Sequence, residues 1–403
     1  MAWMVHIHGS RIWLAVAVIN LIQQSTHSEL SGRHLNPETF MTIPEIIQFW
    51  GYPSEQYEVQ TDDGYFLQLN RIPYGLHSPG KKGHNPAVLL VSGVVTDSKC
   101  WILNPPNNSI GFALADAGYD VWMINCRGTT WSRRHQNLSI EQEEFWDFSF
   151  HEMGIYDIPA AMKFILMKTK QETLYYIGHS QGASLGLIAF SLLPEFAQKV
   201  KLLMLFAPTY TMAGTWNPSM LILFLPDAFK RSIWGRKEFC PLPRKMKILN
   251  AELCSYAIID KICAEIFAMG FGDNKKNLNL SRIDVYAGMF PDYTSVKTIV
   301  HWGQVAKSRE FKYFDYDSEN KAVYNMTTPP FYKVEDVTVP TAVWSAGKDI
   351  ITDLKDIELL LPQLTHLIFY KNNPSWQHTD FVTGLDAPEY LYPDMFRLME
   401  QYK

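Results

Sequence analysis

Leu174-Tyr175-Tyr176-Ile177-Gly178-His179-Ser180-Gln181-Gly182-Ala183 sets an apolar run directly before a serine that has a glycine two positions away on each side. The G-x-S-x-G pattern is weak alone, and its surroundings make it informative. Residues 174–177 read as a short buried strand ending at Gly178, and residues 183–190, small and apolar, read as a helix. Strand, sharp turn and helix are what a nucleophile elbow requires. The glycines have a steric reason, because the turn brings neighbouring backbones into near contact. Ser180 Oγ is then lifted above a sheet at a helix N-terminus, where the dipole favours developing negative charge.

Outward from the elbow, strands and helices alternate. Residues 87–92 (AVLLVS) and 119–125 (YDVWMIN) are almost continuous apolar runs, as expected of parallel strands covered on both faces. Residues 155–167 carry Ile158, Met162, Ile165 and Leu166 near one helical face, and residues 201–206 read as a further strand. Upstream, Asn36-Pro37-Glu38 opens a helical pattern that includes Ile43, Ile46 and Ile47, and residues 57–73 read as a hairpin turning at Asp63-Gly64. The pattern predicts an α/β fold with a doubly wound, mostly parallel sheet. Alternation stops over residues 209–315, which hold the apolar blocks 220–225 and 258–271 and the basic pairs Arg236-Lys237 and Arg244-Lys245. It resumes at residues 339–344, with a last strand at 367–370 and a terminal helix from about Pro388.

A serine needs a base, and the base needs an orienting carboxylate. After an elbow of this type the chain order is Ser, then Asp or Glu, then His. Asp349 follows the late strand Val343-Trp344-Ser345-Ala346 across a glycine-containing loop, whereas Asp353 and Asp356 sit where a helix carrying Leu359, Leu360 and Leu361 should begin. Only His366 and His378 follow Asp349. His366 enters a strand and reads as structural; His378 lies in a loop before a C-terminal helical stretch and is the candidate general base. The backbone N–H groups of Gln181 and of Val94, in the loop after the strand at 87–92, are the candidate oxyanion donors.

Composition sets the outer limits. With 403 residues, 47% of them hydrophobic and 19% charged, disorder and fibrous repeats are excluded. The 36 basic and 41 acidic residues are interspersed, so the chain shows no nucleic-acid footprint. Residues 12–22 form an apolar run behind Arg11, too short to span a bilayer but fitting a signal peptide cut near Ser28. The organisation expected is therefore a signal peptide (1–28), a core (29–208), an insert (209–315) and the remainder of the core (316–403), in a secreted protein. The sequons at Asn107, Asn137, Asn279 and Asn325 agree with that route. Five cysteines are too few for a disulfide scaffold. The sequence sets no oligomeric state.

The segments GHSQG, NNSIGFALADAGYDVWMINCRG and EFWDFSFHEMGIYDIPA, with the Asp349 and His378 pair before DFVTGLDAPEYLY, resemble the acid lipase family over nearly the whole chain beyond the leader. The resemblance implies an α/β-hydrolase core under a mainly helical cap or lid. It implies hydrolysis of triacylglycerols or cholesteryl esters at a lipid–water interface, without metal, colipase or other cofactor. Ser180, Asp349 and His378 fall on the family's triad positions as nucleophile, orienting acid and general base. Cys254 and Cys263 fall on a family disulfide within the cap, leaving Cys100, Cys126 and Cys240 as thiols, the first two expected to be buried. The resemblance also admits a lysosomal destination. Two departures stand out: Ser92-Gly93 replaces the family's His-Gly beside Val94, and Lys348 precedes Asp349 where Asn is usual. These keep two alternatives open, a catalytically impaired lipid-binding protein and a small-ester hydrolase. The apolar blocks of the insert can pack the cap, line an acyl-chain tunnel, or do both.

Overall fold

Strands β3 (Ala87–Val91), β4 (Asp120–Ile124), β6 (Leu174–His179), β7 (Val200–Phe206) and β10 (Thr341–Ala346) are buried along almost their whole length. Such burial follows from helices covering both sides of a parallel sheet. The structure is a computed structural model that describes residues 35–76, 85–212, 214–215, 217, 220–239, 242–257, 259–272 and 274–403. The candidate leader and Cys240 lie outside the described residues.

The hairpin β1 (Glu55–Gln60) and β2 (Tyr65–Ile72) turns around Asp63-Gly64 and joins β4 antiparallel, while the short β5 (Arg134–His135) pairs with β2. β11 (Leu367–Asn373) adds parallel to β10. The order is β1-β2-β4-β3-β6-β7-β10-β11, with the strands from β4 to β11 parallel. Successive side chains leave on opposite faces. Leu89, Val91, Tyr176 and Leu203 enter one core with α3 (Ile158–Thr169) and α4 (Gln181–Leu192). Val88, Leu90, Tyr175 and Leu202 enter the other with α1 (Ile43–Phe49) and α2 (Ile110–Asp116).

Between β7 and β10 the chain runs mainly through helices. They include α5 (Asp227–Trp234), α6 (Arg244–Cys254), α7 (Ile259–Phe271), α8 (Ile283–Met289) and α9 (Val296–Ser308), with a two-stranded pairing of β8 (Glu238–Phe239) and β9 (Thr294–Ser295). α7 turns Cys263, Ala264 and Phe267 inward and leaves Ile262, Ile266 and Met269 exposed. A disulfide joins Cys254 to Cys263, and Cys100 and Cys126 are buried thiols. After β10, α10 (Leu354–Leu360) and α11 (Tyr392–Gln401) complete the layers. Among the described residues no helix is long and apolar enough to cross a membrane.

Three local expectations change. The helical pattern from Asn36 is split into a 3₁₀ turn (Pro37–Phe40) and α1, because Glu45 Oε2 accepts the Thr42 N–H at 2.7 Å and starts a new helix there. The helix expected at 155–167 begins inside a π-helical turn (Met153–Asp157) and runs on to Thr169. The buried Asp157 carboxylate closing that turn accepts from Arg127 N at 2.9 Å and Nε at 2.7 Å, a contact that apolar periodicity does not report. His366 enters β11 where expected, its O accepting the Thr341 N–H at 2.9 Å, but its ring is exposed, with Nδ1 3.0 Å from Thr365 Oγ1.

The disulfide closes a nine-residue separation, for which the chain-entropy estimate is about 2.5 kcal/mol. Replacing both cysteines by alanine should lower unfolding free energy by roughly that amount in a urea titration. An unchanged midpoint and slope would mean that the bridge constrains nothing in the unfolded chain.

Candidate active site

The elbow is set by backbone contact. A Cβ on Gly178 would lie 2.4 Å from Gly182 O, and one on Gly182 would lie 2.1 Å from Val91 O, so neither position admits a side chain. Between them Ser180 is held at φ 56° and ψ −121°, strain of order 1–3 kcal/mol that the surrounding packing sustains. Its N–H donates to Phe206 O at 2.9 Å, and its Oγ lies 3.3 Å from Thr209 Oγ1, which is 3.3 Å from Thr352 Oγ1.

The loop beyond β10 brings Asp349 to His378, with Oδ2 2.8 Å from Nδ1. The other oxygen, Oδ1, accepts the N–H groups of Ile351 and Thr352, both at 2.8 Å. The buried carboxylate is thereby fixed in orientation and favours a proton on Nδ1, leaving Nε2 as the basic nitrogen. Ser180 and His378 line one cavity. Among the described residues Ser180 Oγ meets Thr209 Oγ1 and not His378, a spacing common in such sites without substrate. Lys348 is exposed and its N–H donates to Trp376 O at 2.9 Å, so its ammonium stays in solvent. Asp353 caps α10, and the buried Asp356 accepts from Tyr210 N and Thr211 N.

Gln181 opens α4, and the loop after β3 runs against the nucleophile, where a Cβ on Gly93 would sit 3.1 Å from Ser180 Cβ. Neither Gln181 N–H nor Val94 N–H is taken by a protein acceptor among the described residues. Ser92 is buried and its Oγ reaches Thr96 O at 3.4 Å, so its hydroxyl is occupied within its own loop.

The cavity measures about 290 Å³. Met220, Ile222 and Leu223 from one apolar block of the insert and Gly270 and Phe271 from the other reach it. Others in the same blocks, Leu221 and Phe224 among them, are exposed. Ser180 and His378 are 5% and 4% exposed, so chemistry here would proceed largely away from water. Among the described residues no group of three or more His, Cys, Asp or Glu is placed to hold a metal ion.

Sequence reasoning passed over three neighbours. Thr209 follows the C-terminal end of β7, a position that could have drawn attention. Trp302 donates from Nε1 to Gln181 Oε1 at 2.8 Å across 121 residues, which no local signal reports. His179 stands inside the motif; its Nε2 lies 2.9 Å from His378 O, tying the neighbour of Ser180 to the backbone of His378. Burial, and secondarily the nearby His378, push its pKa down to about 3, so it donates as a neutral imidazole.

Residues 43–105 match a family described as a partial alpha/beta-hydrolase lipase region, and residues 86–385 match the alpha/beta hydrolase fold family. The chain is similar to lipase member M of Homo sapiens, 46% identical over 402 residues, covering 99% of this chain and 95% of that one. It is equally similar to the lysosomal acid lipase/cholesteryl ester hydrolase of Homo sapiens, 46% identical over 391 residues, covering 96% and 98%. Among solved structures, a soluble variant of monoglyceride lipase from Saccharomyces cerevisiae shares the fold, with a TM-score of 0.52 and 14% identity over 91% of this chain and 97% of that one.

The His179 imidazole should show no NMR titration between pH 7 and pH 4.5. Its folded pKa lies below the ordinary value, so it binds fewer protons folded than unfolded between about pH 6.5 and pH 3. Its contribution to stability is therefore complete above that window and is lost as pH falls through it. A titration centred near 6 would contradict the burial argument.

Proposed function

From the premise that this chain belongs to the acid lipase family of α/β hydrolases, we propose that it cleaves carboxylic esters of neutral lipids, triacylglycerols or cholesteryl esters, through an acyl-enzyme on Ser180. The observation that carries this reading is the buried Asp349–His378 pair opening on the cavity that contains Ser180. His378 Nε2 takes the hydroxyl proton as Ser180 Oγ attacks the ester carbonyl. Asp349 holds Nδ1–H and stabilises the imidazolium. The N–H groups of Val94 and Gln181 receive the charge that develops on the carbonyl oxygen. Collapse breaks the carbon–oxygen bond, and His378 returns the proton to the departing alcohol. Water, deprotonated by His378, then attacks the acyl-enzyme, releasing the carboxylic acid and restoring Ser180.

Residues 209–315 act in this reading as a cap whose inner side forms the acyl site. Removal of a lipid from its aggregate calls for an apolar site shielded from water, and Met220, Ile222, Leu223 and Phe271 supply such a lining. The exposed Ile262, Ile266 and Met269 on α7, with Met246 and Leu249 on α6, support work at a lipid–water interface. Residues 1–28 serve as a leader to the secretory route, ending outside the cell or in the lysosome. Glycans fit Asn107, Asn137 and Asn325, which are exposed, better than the half-buried Asn279.

Ser180→Ala should reduce hydrolysis of emulsified triolein, cholesteryl oleate and p-nitrophenyl butyrate by about 10⁴-fold or more, with the melting temperature retained. A fluorophosphonate probe should label the parent and not the variant. Unchanged hydrolysis in Ser180→Ala would overturn the reading. Failure of the folded parent to react with the probe would favour a lipid-binding protein on the same fold.

A further inference from the structure

Residues of the 209–315 segment bond the Val95 carbonyl, beside one proposed oxyanion donor, and the side chain of Gln181, the other. Val95, next to the donor Val94, adopts φ 49°, left-handed and costly for a β-branched residue. Its carbonyl accepts the N–H of Asp292 at 2.6 Å. Asp292 is 1% exposed; its carboxylate accepts the Thr130 N–H at 3.0 Å and the Thr130 hydroxyl, with Lys247 Nζ 3.7 Å away. The Gln181 side chain is held at both ends. Its Oε1 accepts Trp302 Nε1–H at 2.8 Å, and its Nε2 lies 3.5 Å from Met153 Sδ. The Trp302 indole in turn rests on Phe150, ring centroids 4.3 Å apart. Moving the Val95 carbonyl or the Gln181 side chain would disturb a buried hydrogen bond, which is costly.

We propose that Trp302 is a positioning residue for the oxyanion hole, acting through Gln181. The inference rests on the acyl-transfer reading above. It makes Trp302, from the 209–315 segment, part of the wall behind the catalytic site.

The test uses the protein made in a secretory expression host with a soluble ester, p-nitrophenyl butyrate. Trp302→Phe keeps the ring and removes the donor; Gln181→Met keeps the length and removes the acceptor. Each should lower kcat by about 10- to 100-fold, consistent with a weakened oxyanion donor, with KM within about twofold. The rate of inactivation by a p-nitrophenyl alkylphosphonate, which forms a tetrahedral adduct on serine, should fall by the same factor. The double variant should lose little beyond either single one, because both remove the same bond. A purely packing role would lower the melting temperature while leaving kcat and inactivation rate unchanged, and that result would overturn the proposal. Should Trp302→Phe fail to fold, Gln181→Met decides by the same criterion. If the parent neither hydrolyses the ester nor reacts with the phosphonate, it is the acyl-transfer reading that fails. If the parent is active and both folded variants match it, only the present inference falls.

Discussion

The approach of Gly182 to the carbonyl of Val91 is the contact from which the rest of the site follows. The start of α4 packs so tightly on the end of β3 that a Cβ would fall 2.1 Å from an oxygen. The chain meets this by turning sharply after β6, and the turn carries Ser180 into a conformation it would not adopt freely. The same packing brings the loop after β3 beside Ser180, where a Cβ on Gly93 would fall 3.1 Å from Ser180 Cβ. Sheet order adds a crevice. β3 lies between β4 and β6, so connections leaving β3 and β6 diverge at their C-terminal ends, where ligands of open α/β sheets bind.

Polar groups at that crevice are buried yet committed. Asp349 accepts three bonds, His179 gives its Nε2–H to the backbone of His378, and Gln181 is held by Trp302. In a low-dielectric setting such bonds are strong and their loss is costly, so the network is rigid where charge must be stabilised. The surrounding wall is apolar, built partly from the insert. Residues 209–315 and the rest of the chain therefore line one cavity: the former contribute Met220, Ile222, Leu223 and Phe271, and Ser180 and His378 lie in the latter.

Much of this was legible because it is written locally. Apolar runs at residues 87–92, 119–125 and 201–206 announce strands buried on both faces, and the glycines of GHSQG announce a tight turn. Asp349 and His378 were candidates by their places after a late strand and before a terminal helix, and the structure pairs their side chains. The exposure of Lys348, the capture of the Ser92 hydroxyl by Thr96, and the split of the first helix at Thr42 were less visible. Each depends on a side-chain direction or a short-range bond that competes with the pattern. The π turn ending at Asp157 was invisible because a buried arginine some thirty residues away dictates it.

By itself, then, the sequence determined the layer architecture and the elbow and marked Ser180, Asp349 and His378 as the candidates for the chemistry, since periodicity and steric demand act between near neighbours along the chain. Only the tertiary structure decided which apolar residues of the insert face the cavity, that His179 grips the backbone of His378, and that Trp302 holds Gln181 from 121 residues away. Those contacts arise when separate elements are packed together, and a buried hydrogen bond between them leaves no period or spacing in the chain.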